Sequence, residues 1–346
     1  MSPRATVSAP ANIAFVKYWG AREPGRALPY HPSISMTLEV CRSTTTVEVD
    51  SGLEADRVFI ADEAGRLTPA DAAFAGRVRG HLAAIRRALG CDERFRVATR
   101  NSFPAAAGLA SSASGFAALA AAASGALGLH PTPEELSVLA RLSGSGSAAR
   151  SVRGGFVEWP AGDDPEAPAA EIAPASHWPL VDLVALVETG PKEVSSLEGH
   201  RRAPTSPGFE PRLARLPGRL AAVRRAIADR DLEALGPLLE RDTLELHAVA
   251  MTSEPPILYW RPGTLEVLHA VRALRRNGTA AHVTMDAGAN VHVICEALDE
   301  DAVARRLAEL PAVRGVIADR VGSGPRPESV DLLAPAAPGE SPESGE

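Results

Sequence analysis

Lysine is almost missing from this chain. Of the 36 basic residues other than histidine, only Lys17 and Lys192 are lysines, and every other one is arginine. A chain that uses arginine for nearly every cation yet keeps lysine at two positions suggests that those positions need its shape. A compact ammonium reaches a phosphate or a tertiary hydroxyl where a planar guanidinium does not fit. Cysteine is scarce as well: Cys41, Cys91 and Cys295 are odd in number and far apart. That spacing excludes a disulfide framework and a cysteine metal motif, and it points to a reducing compartment. Excess positive charge is absent too. The net charge of −7 and pI near 5.8 argue against nucleic acid or an anionic membrane as partner. The first residues, MSPRATVSAPANIAF, contain no apolar h-region, so no secretory signal is expected. Neither a G-x-x-x-x-G-K-[ST] loop nor a G-x-G-x-x-G dinucleotide turn occurs, and no internal repeat is visible.

What remains is an ordinary globular composition, 45% hydrophobic and 23% charged, in a chain of 346 residues that is long enough for two domains. The most distinctive stretch is NSFPAAAGLASSASGFAALAAAASGALGLH, from Asn101 to His130. It reads as a loop of small residues running into a helix. Such a loop lets backbone N–H groups approach a ligand, and the helix turns its positive end toward the same place, which suits a polyphosphate. Close packing of a small-residue helix is the competing explanation. The run carries no charge between Arg100 and Glu134, but alanine, serine and glycine supply too little hydrophobicity for insertion, so a buried helix is expected rather than a membrane span.

Hydrophobic spacing and capping signals place the other elements. A strand is expected over 5–16, paired strands within Ser35–Val49, a helix over Ala72–Leu89 and a strand over Phe95–Thr99. Thr132 is the expected N-cap of a helix over Pro133–Leu142. A second small-residue loop, Arg141–Trp159, ends in a strand. The apolar strand Val181–Glu188 opens a second half, with helices at Arg212–Asp229, Asp231–Ala250 and Thr264–Arg276. Ile257–Tyr259 and the last of these helices lead to HVTMDAGANVHVIC, which reads as strand, turn and strand around Asp286. A helix over Ala302–Leu310 and a strand over Gly315–Val321 complete the pattern. Two domains follow, 1–180 and 181–333, with a polar, proline-rich tail at 334–346 expected to be disordered.

Four stretches could carry chemistry: Asn12–Gly20, Pro104–Ser114, Ser143–Arg150 and Asp286–Asn290. Each alone has an ordinary structural explanation, since aspartates mark turns and GSGS runs make loops. In this order, however, "ANIAFVKYWG", "NSFPAAAGLASSASGFAALA", "SGSGSAARSVRGGFVEW", "SHWP", "PPILYW" and "DAGAN" resemble the mevalonate diphosphate decarboxylase family of the GHMP kinase superfamily. The resemblance runs from about Ser8 to Pro325. It implies an α+β, two-domain GHMP kinase-type fold: an N-terminal α/β domain, a C-terminal ferredoxin-like domain and a site in the cleft between them. It also implies a cytoplasmic homodimer that uses ATP and Mg2+. The implied reaction is phosphorylation of the C3 hydroxyl of a 5-phosphorylated mevalonate, followed by loss of phosphate and CO2.

Under that resemblance Pro104, Gly108, Leu109, Ala110, Ser111, Ser112 and Ser114 hold the ATP phosphates. Arg150 grips the substrate carboxylate with its planar fork. Asp286 sits at the C3 hydroxyl as general base or fixed anion, and Lys17 counters phosphoryl charge and depresses the Asp286 pKa. Ser145, Ser147, Ser195 and Ser196 donate hydroxyls, and Tyr18 reaches the 5-phosphate end. A kinase that stops at phosphorylation and a non-catalytic ligand sensor are the alternatives, and the presence of Lys17, Arg150 and Asp286 weighs against both.

The chain departs from the family pattern where a terminal phosphate would lie. KYWGK is KYWGA here, with Ala21. SSR-x-GM is SSLEGH, with Leu197 and His200. LPTNSS is LPYHPS, with Tyr30, His31 and Pro32. At ~1.5–3 kcal/mol per charge-assisted hydrogen bond, two missing cations would lower diphosphate affinity by roughly two to four powers of ten. His31, His200 or Arg22 could compensate in part. A substrate with one phosphate, 5-phosphomevalonate, giving isopentenyl phosphate, is therefore expected over 5-diphosphomevalonate.

Overall fold

The computed structural model describes residues 2–23, 27–104, 111–161, 164, 166–190 and 192–334. In chain order the strands and helices of the first half are β1 (Arg4–Val16), β2 (Ala21–Glu23), β3 (Leu28–Pro29), β4 (Ser33–Val49), β5 (Arg57–Ala61), β6 (Leu67–Pro69), α1 (Ala72–Leu89), β7 (Phe95–Asn101), α2 (Ser111–Ala126), α3 (Pro133–Arg141), α4 (Gly146–Arg150), β8 (Phe156–Trp159) and β9 (Ala170–Ala173). The second half holds β10 (Leu180–Leu186), α5 (Ser196–Arg202), α6 (Phe209–Asp229), α7 (Leu232–Met251), α8 (Pro262–Arg276), β11 (Ala281–Thr284), β12 (Val291–Glu296), α9 (Glu300–Ala308), β13 (Gly315–Arg320) and β14 (Arg326–Pro327).

Local chemistry sets several boundaries. Asp71 caps α1 by accepting the Phe74 N–H, and Gly90 ends it in the left-handed conformation. Thr132 and Glu135 form a reciprocal capping box at α3. The first sheet runs β14-β1-β4-β7-β5-β6, with β8 and β9 continuing from the far end of β4. The alanine-rich α2 lies on this sheet and buries most of its length. Its small side chains permit the approach: a Cβ on Gly125 would stand 2.9 Å from the Ala5 Cβ. Close packing is thus what the small residues of α2 provide.

The second sheet, β11-β12-β10-β13, is antiparallel throughout. Val267, Val271, Val303 and Leu307 of α8 and α9 pack on the face that carries Val181 and Leu183. The opposite face, with Val184 and Ile294, joins Ile13 and Phe15 of β1 and Leu216, Leu220, Leu235 and Leu239 of α6 and α7 in a core shared by both halves. Between Thr37 and Arg42 the chain of β4 leaves its ladder with β1. The amides of Glu39, Val40 and Cys41 donate instead to the Asp319 carboxylate, each at 2.8 Å. A bulge in one sheet is thereby satisfied by a strand of the other.

Two sequence expectations need correction. Ser35–Val49 belongs to a single strand, β4, because it contains no turn residue and its β-branched side chains suit a sheet buried on both sides. Ile257 and Tyr259, ahead of α8, are buried by packing against Trp19 and Val249. The end of the expected 181–333 domain returns to the first half: β14 pairs with β1, and Leu332 and Leu333 pack with Ala61 and Ala98. Of the expected tail 334–346, all but Ala334 lies outside the described residues. Among the described residues no helix is long and apolar enough to cross a membrane.

Candidate active site

β1 ends at Val16, and the next side chain, Lys17, enters a cleft between the two sheets. Lys17 is buried, and its Nζ donates to Asp286 Oδ1 at 2.9 Å. Asp286 heads the tight connection from β11 to β12, which closes with the Gly288 N–H on the Asp286 carbonyl at 2.7 Å. The cleft encloses about 470 Å3 and is walled by Lys17, Tyr18, Ser147, Arg150, Lys192, Ser196, His200, Leu246 and Asp286, among others. Both lysines of the chain therefore face one small space, on either side of one aspartate. Burial alone would raise the Asp286 carboxyl, but the charge and hydrogen bond of Lys17, helped by His292 and Lys192, hold it below the usual carboxylate range. Solvent reaches Lys192, yet partial desolvation lowers its ammonium pKa against the pull of Asp286.

Arg150 closes α4 and is buried. Its Nε donates to Ser35 Oγ at 3.0 Å, Nη1 to Ser33 Oγ, and Nη2 to Asn12 Oδ1 at 3.3 Å. A guanidinium has five N–H bonds, so these partners engage three and two remain. Every partner is neutral, and no carboxylate pairs with Arg150 among the described residues. Desolvation lowers its pKa to about 10, which leaves it fully charged near neutrality. A buried cation with two N–H bonds not used by these partners, in the wall of a cleft, has the chemistry to hold a carboxylate.

Tyr18 stands edge-on to Trp159, with ring centroids 5.3 Å apart, and lies against His200 at 4.2 Å. Burial raises the Tyr18 phenol, so it is a neutral donor. The small residues of the second loop serve this packing: a Cβ on Gly146 would come within 2.7 Å of Tyr18 and 2.4 Å of Trp159. His200 accepts the Gly20 N–H on Nδ1 at 3.0 Å, and burial lowers its pKa to about 3. It is therefore a neutral ring with its proton on Nε2. His31 donates from Nδ1 to the Pro32 carbonyl and accepts Arg212 on Nε2, with a pKa lowered to about 4, mainly by burial. Neither histidine supplies the cation that the sequence suggested. Ala21 is buried beside Pro29, Leu197 is exposed on α5, and the Arg22 guanidinium lies 5.6 Å from the Tyr30 ring centroid.

The remaining expected site residues divide. Ser147 and Ser196 wall the cleft. Ser195 does not: it is exposed, and its hydroxyl caps α5 by accepting the Glu198 N–H at 3.2 Å. Ser145 is half-buried at the start of α4 and also lies outside the cleft wall. Ser114, expected at the nucleotide, is buried; its hydroxyl pairs with Ser43 Oγ at 2.7 Å, inside the contact of α2 with β4. Pro104 is exposed at the loop entrance, whereas Gly108, Leu109 and Ala110 lie outside the described residues. Ser111 and Ser112, at the start of α2, wall a second cavity of about 1180 Å3 with Phe74, Arg77, Thr99 and Asn101. Sequence reasoning missed Asn12, Ser33 and Ser35 as the seat of Arg150. The alternation of Ser33 and Ser35 on one strand face was the available signal.

Comparison with known proteins bears on the family and the fold. Residues 9–170 match the family model "Diphosphomevalonate decarboxylase-like N-terminal domain", and residues 182–314 match "Mevalonate 5-diphosphate decarboxylase C-terminal domain". The chain is 35% identical over 360 residues to a diphosphomevalonate decarboxylase of Candida albicans, covering 95% of this chain and 99% of that one. It is also 35% identical to the diphosphomevalonate decarboxylase of Homo sapiens, over 82% of this chain and 75% of the human one. Among solved structures it resembles MDDEF in complex with MVAPP, AMPPCP and magnesium, with TM-score 0.87 and 36% identity over 95% of this chain and 99% of the other. Mevalonate diphosphate decarboxylase from Staphylococcus aureus aligns with TM-score 0.87 and 30% identity over 95% and 98%.

Proposed function

The chain belongs to the diphosphomevalonate decarboxylase family and is an ATP-dependent decarboxylase, and from that premise we propose how the described cleft does the work. The substrate carboxylate takes the two free N–H bonds of Arg150, which fixes the acid end and the bond to be broken. The tertiary hydroxyl then lies at Asp286, and its oxygen takes the terminal phosphoryl group of ATP. The hydroxyl proton leaves to Asp286 or to solvent in the cleft. Breaking the C3–O bond expels inorganic phosphate, and the C1–C2 bond electrons form the new double bond as CO2 departs. Asp286, held ionised by Lys17, is a weak base but a persistent anion, which is the property a cationic C3 needs. Lys17 and Lys192 face the negative charge that moves with the phosphoryl group.

ATP is the phosphoryl donor in this reading. Its nucleoside occupies the second cavity, and its phosphates lie beside the start of α2, where Ser111 and Ser112 offer hydroxyls. Mg2+ carried on phosphates needs few protein ligands. The ion supplies neutralisation of phosphate charge when bound. The homodimer, the cytoplasmic setting and the division of the chain near residue 180 belong to the same reading. The observation that carries it is the convergence of Arg150, Asp286 and both lysines on one cleft. ADP and CO2 released in equal amounts from a phosphorylated mevalonate is the expected result; ADP without CO2 would make the protein a kinase.

On the number of phosphates, every relative and family model named above carries the diphosphate in its name, so family membership favours 5-diphosphomevalonate and isopentenyl diphosphate. The monophosphate expectation has no support there. It stands as a second reading on one observation: positions 21 and 197 carry no charge, and His31 and His200 are neutral. Comparing kcat/KM for the two substrates decides, and a preference of about a hundredfold for the diphosphate would end the monophosphate reading.

A further inference from the structure

Helix α7 carries buried polar residues on its inward side that the mechanism above does not use. Asp242 and Thr243 are fully buried, and His247 nearly so, one turn further on. Helices bury polar side chains only where those side chains find partners. Here the partners are backbone groups of the two catalytic segments. Asp242 Oδ2 accepts the Lys17 N–H at 2.8 Å. Arg212 spans Asp242 and the Lys17 carbonyl, at 3.1 and 3.3 Å, so both backbone groups of Lys17 are held by one buried ion pair. Arg219 adds a 2.7 Å bond to Asp242 Oδ1, and its own charge is offset by Glu245 at 2.9 Å. Thr243 Oγ1 accepts the Met285 N–H at 3.2 Å and meets Thr284 Oγ1 at 3.1 Å, and Thr284 in turn donates to the Ala14 carbonyl of β1.

We infer that α7 is the template that fixes the distance between Lys17 and Asp286, with Asp242 and Thr243 as positioning residues that grip the backbone on both sides of that ion pair. The two members of the pair come from segments 269 residues apart, on different sheets. One rigid helix bonded to both removes the freedom between them. Neither residue walls the cleft, whereas Leu246, from the same helix, does. Misplacing a catalytic group by about 1 Å lowers rate on the order of a hundredfold, so a template of this kind acts on kcat rather than on nucleotide binding.

The inference rests on the decarboxylase reading for its kinetic readout but not for its chemical one. With only two lysines in the chain, competitive acylation followed by mass spectrometry reports Lys17 against Lys192 directly and without substrates. Asp242→Asn and the near-isosteric Thr243→Val are compared with the wild type. Expected for both are Lys17 acylating several-fold faster relative to Lys192, kcat lowered by about ten- to a hundredfold and KM for ATP little changed. The acid limb of kcat/KM is expected to move upward as Lys17 loosens from Asp286; the other charged or titratable groups around that carboxylate, Lys192, His292, His247 and Arg150, stay in place. Should Asp242→Asn fail to fold, Thr243→Val decides alone. A folded Thr243→Val with wild-type Lys17 reactivity and acid limb overturns the inference, and so does a lowered melting temperature with both readouts unchanged. A wild type that releases no CO2 would remove the decarboxylase reading while leaving the acylation result to judge α7.

Discussion

Replacing Arg150 by methionine removes the carboxylate receptor and keeps an unbranched apolar stem in its place. Two N–H bonds are available to the substrate after Ser33, Ser35 and Asn12 have taken theirs. At ~1.5–3 kcal/mol for each charge-assisted hydrogen bond, their loss amounts to ~3–6 kcal/mol, or about 10²–10⁴ in kcat/KM for the phosphorylated mevalonate. Stability moves differently. The guanidinium is buried among neutral partners, so its removal relieves desolvation while leaving two hydroxyls and an amide oxygen to find other partners. The net change is expected to be on the order of 1 kcal/mol, a shift of a few degrees in Tm. Steady-state ADP release, CO2 release and a thermal melt on the same preparation measure all three quantities. A folded Arg150→Met within tenfold of wild-type kcat/KM, or one whose ATP affinity fell as far as its substrate affinity, would refute the assignment of Arg150 to the substrate acid.

Asp286→Asn is expected to abolish CO2 release while nucleotide affinity, read by fluorescence titration of an ATP analogue, stays within a fewfold of wild type; a near-normal rate would take Asp286 out of the mechanism. Stability should fall on acidification from neutral pH. Burial is the main cause that depresses His31 and His81 to about 4 and His200 and His247 to about 3. Unfolded histidines bind protons near pH 6.5, so between that pH and the folded values the unfolded chain holds more protons and stability rises with pH. The stabilisation is complete above about pH 6.5 and is lost as pH falls toward 4. Urea melts at pH 7 and pH 5 with equal midpoints would contradict the burial of these rings. The depressed Asp286 acts in the same direction at lower pH, since its contribution is lost only as pH falls through its folded value.

Much of this protein was legible in its residue order. The cap at Thr132 marks its helix where the structure has it, because capping is a contact within four residues. The survival of lysine at only two positions pointed at the cleft that both enter, because a chain otherwise built with arginine shows a chemical requirement in its exceptions. What depended on distant contacts stayed hidden. Ser114 and Ser112 look alike in sequence, yet one faces β4 and the other a cavity; helix rotation against a sheet decides that. Ser195 and Ser196 are neighbours, one a helix cap and the other a cleft wall. The histidines near the expected phosphate site could be cations in an open chain and are neutral only because folding removes their water. The grip of α7 on Lys17 and on the Met285–Asp286 backbone involves segments far apart along the chain, so local pattern could not announce it. Sequence by itself supplied the candidate groups for the chemistry; the packing of two sheets through one shared core decided how far apart they stand and which of them carry charge.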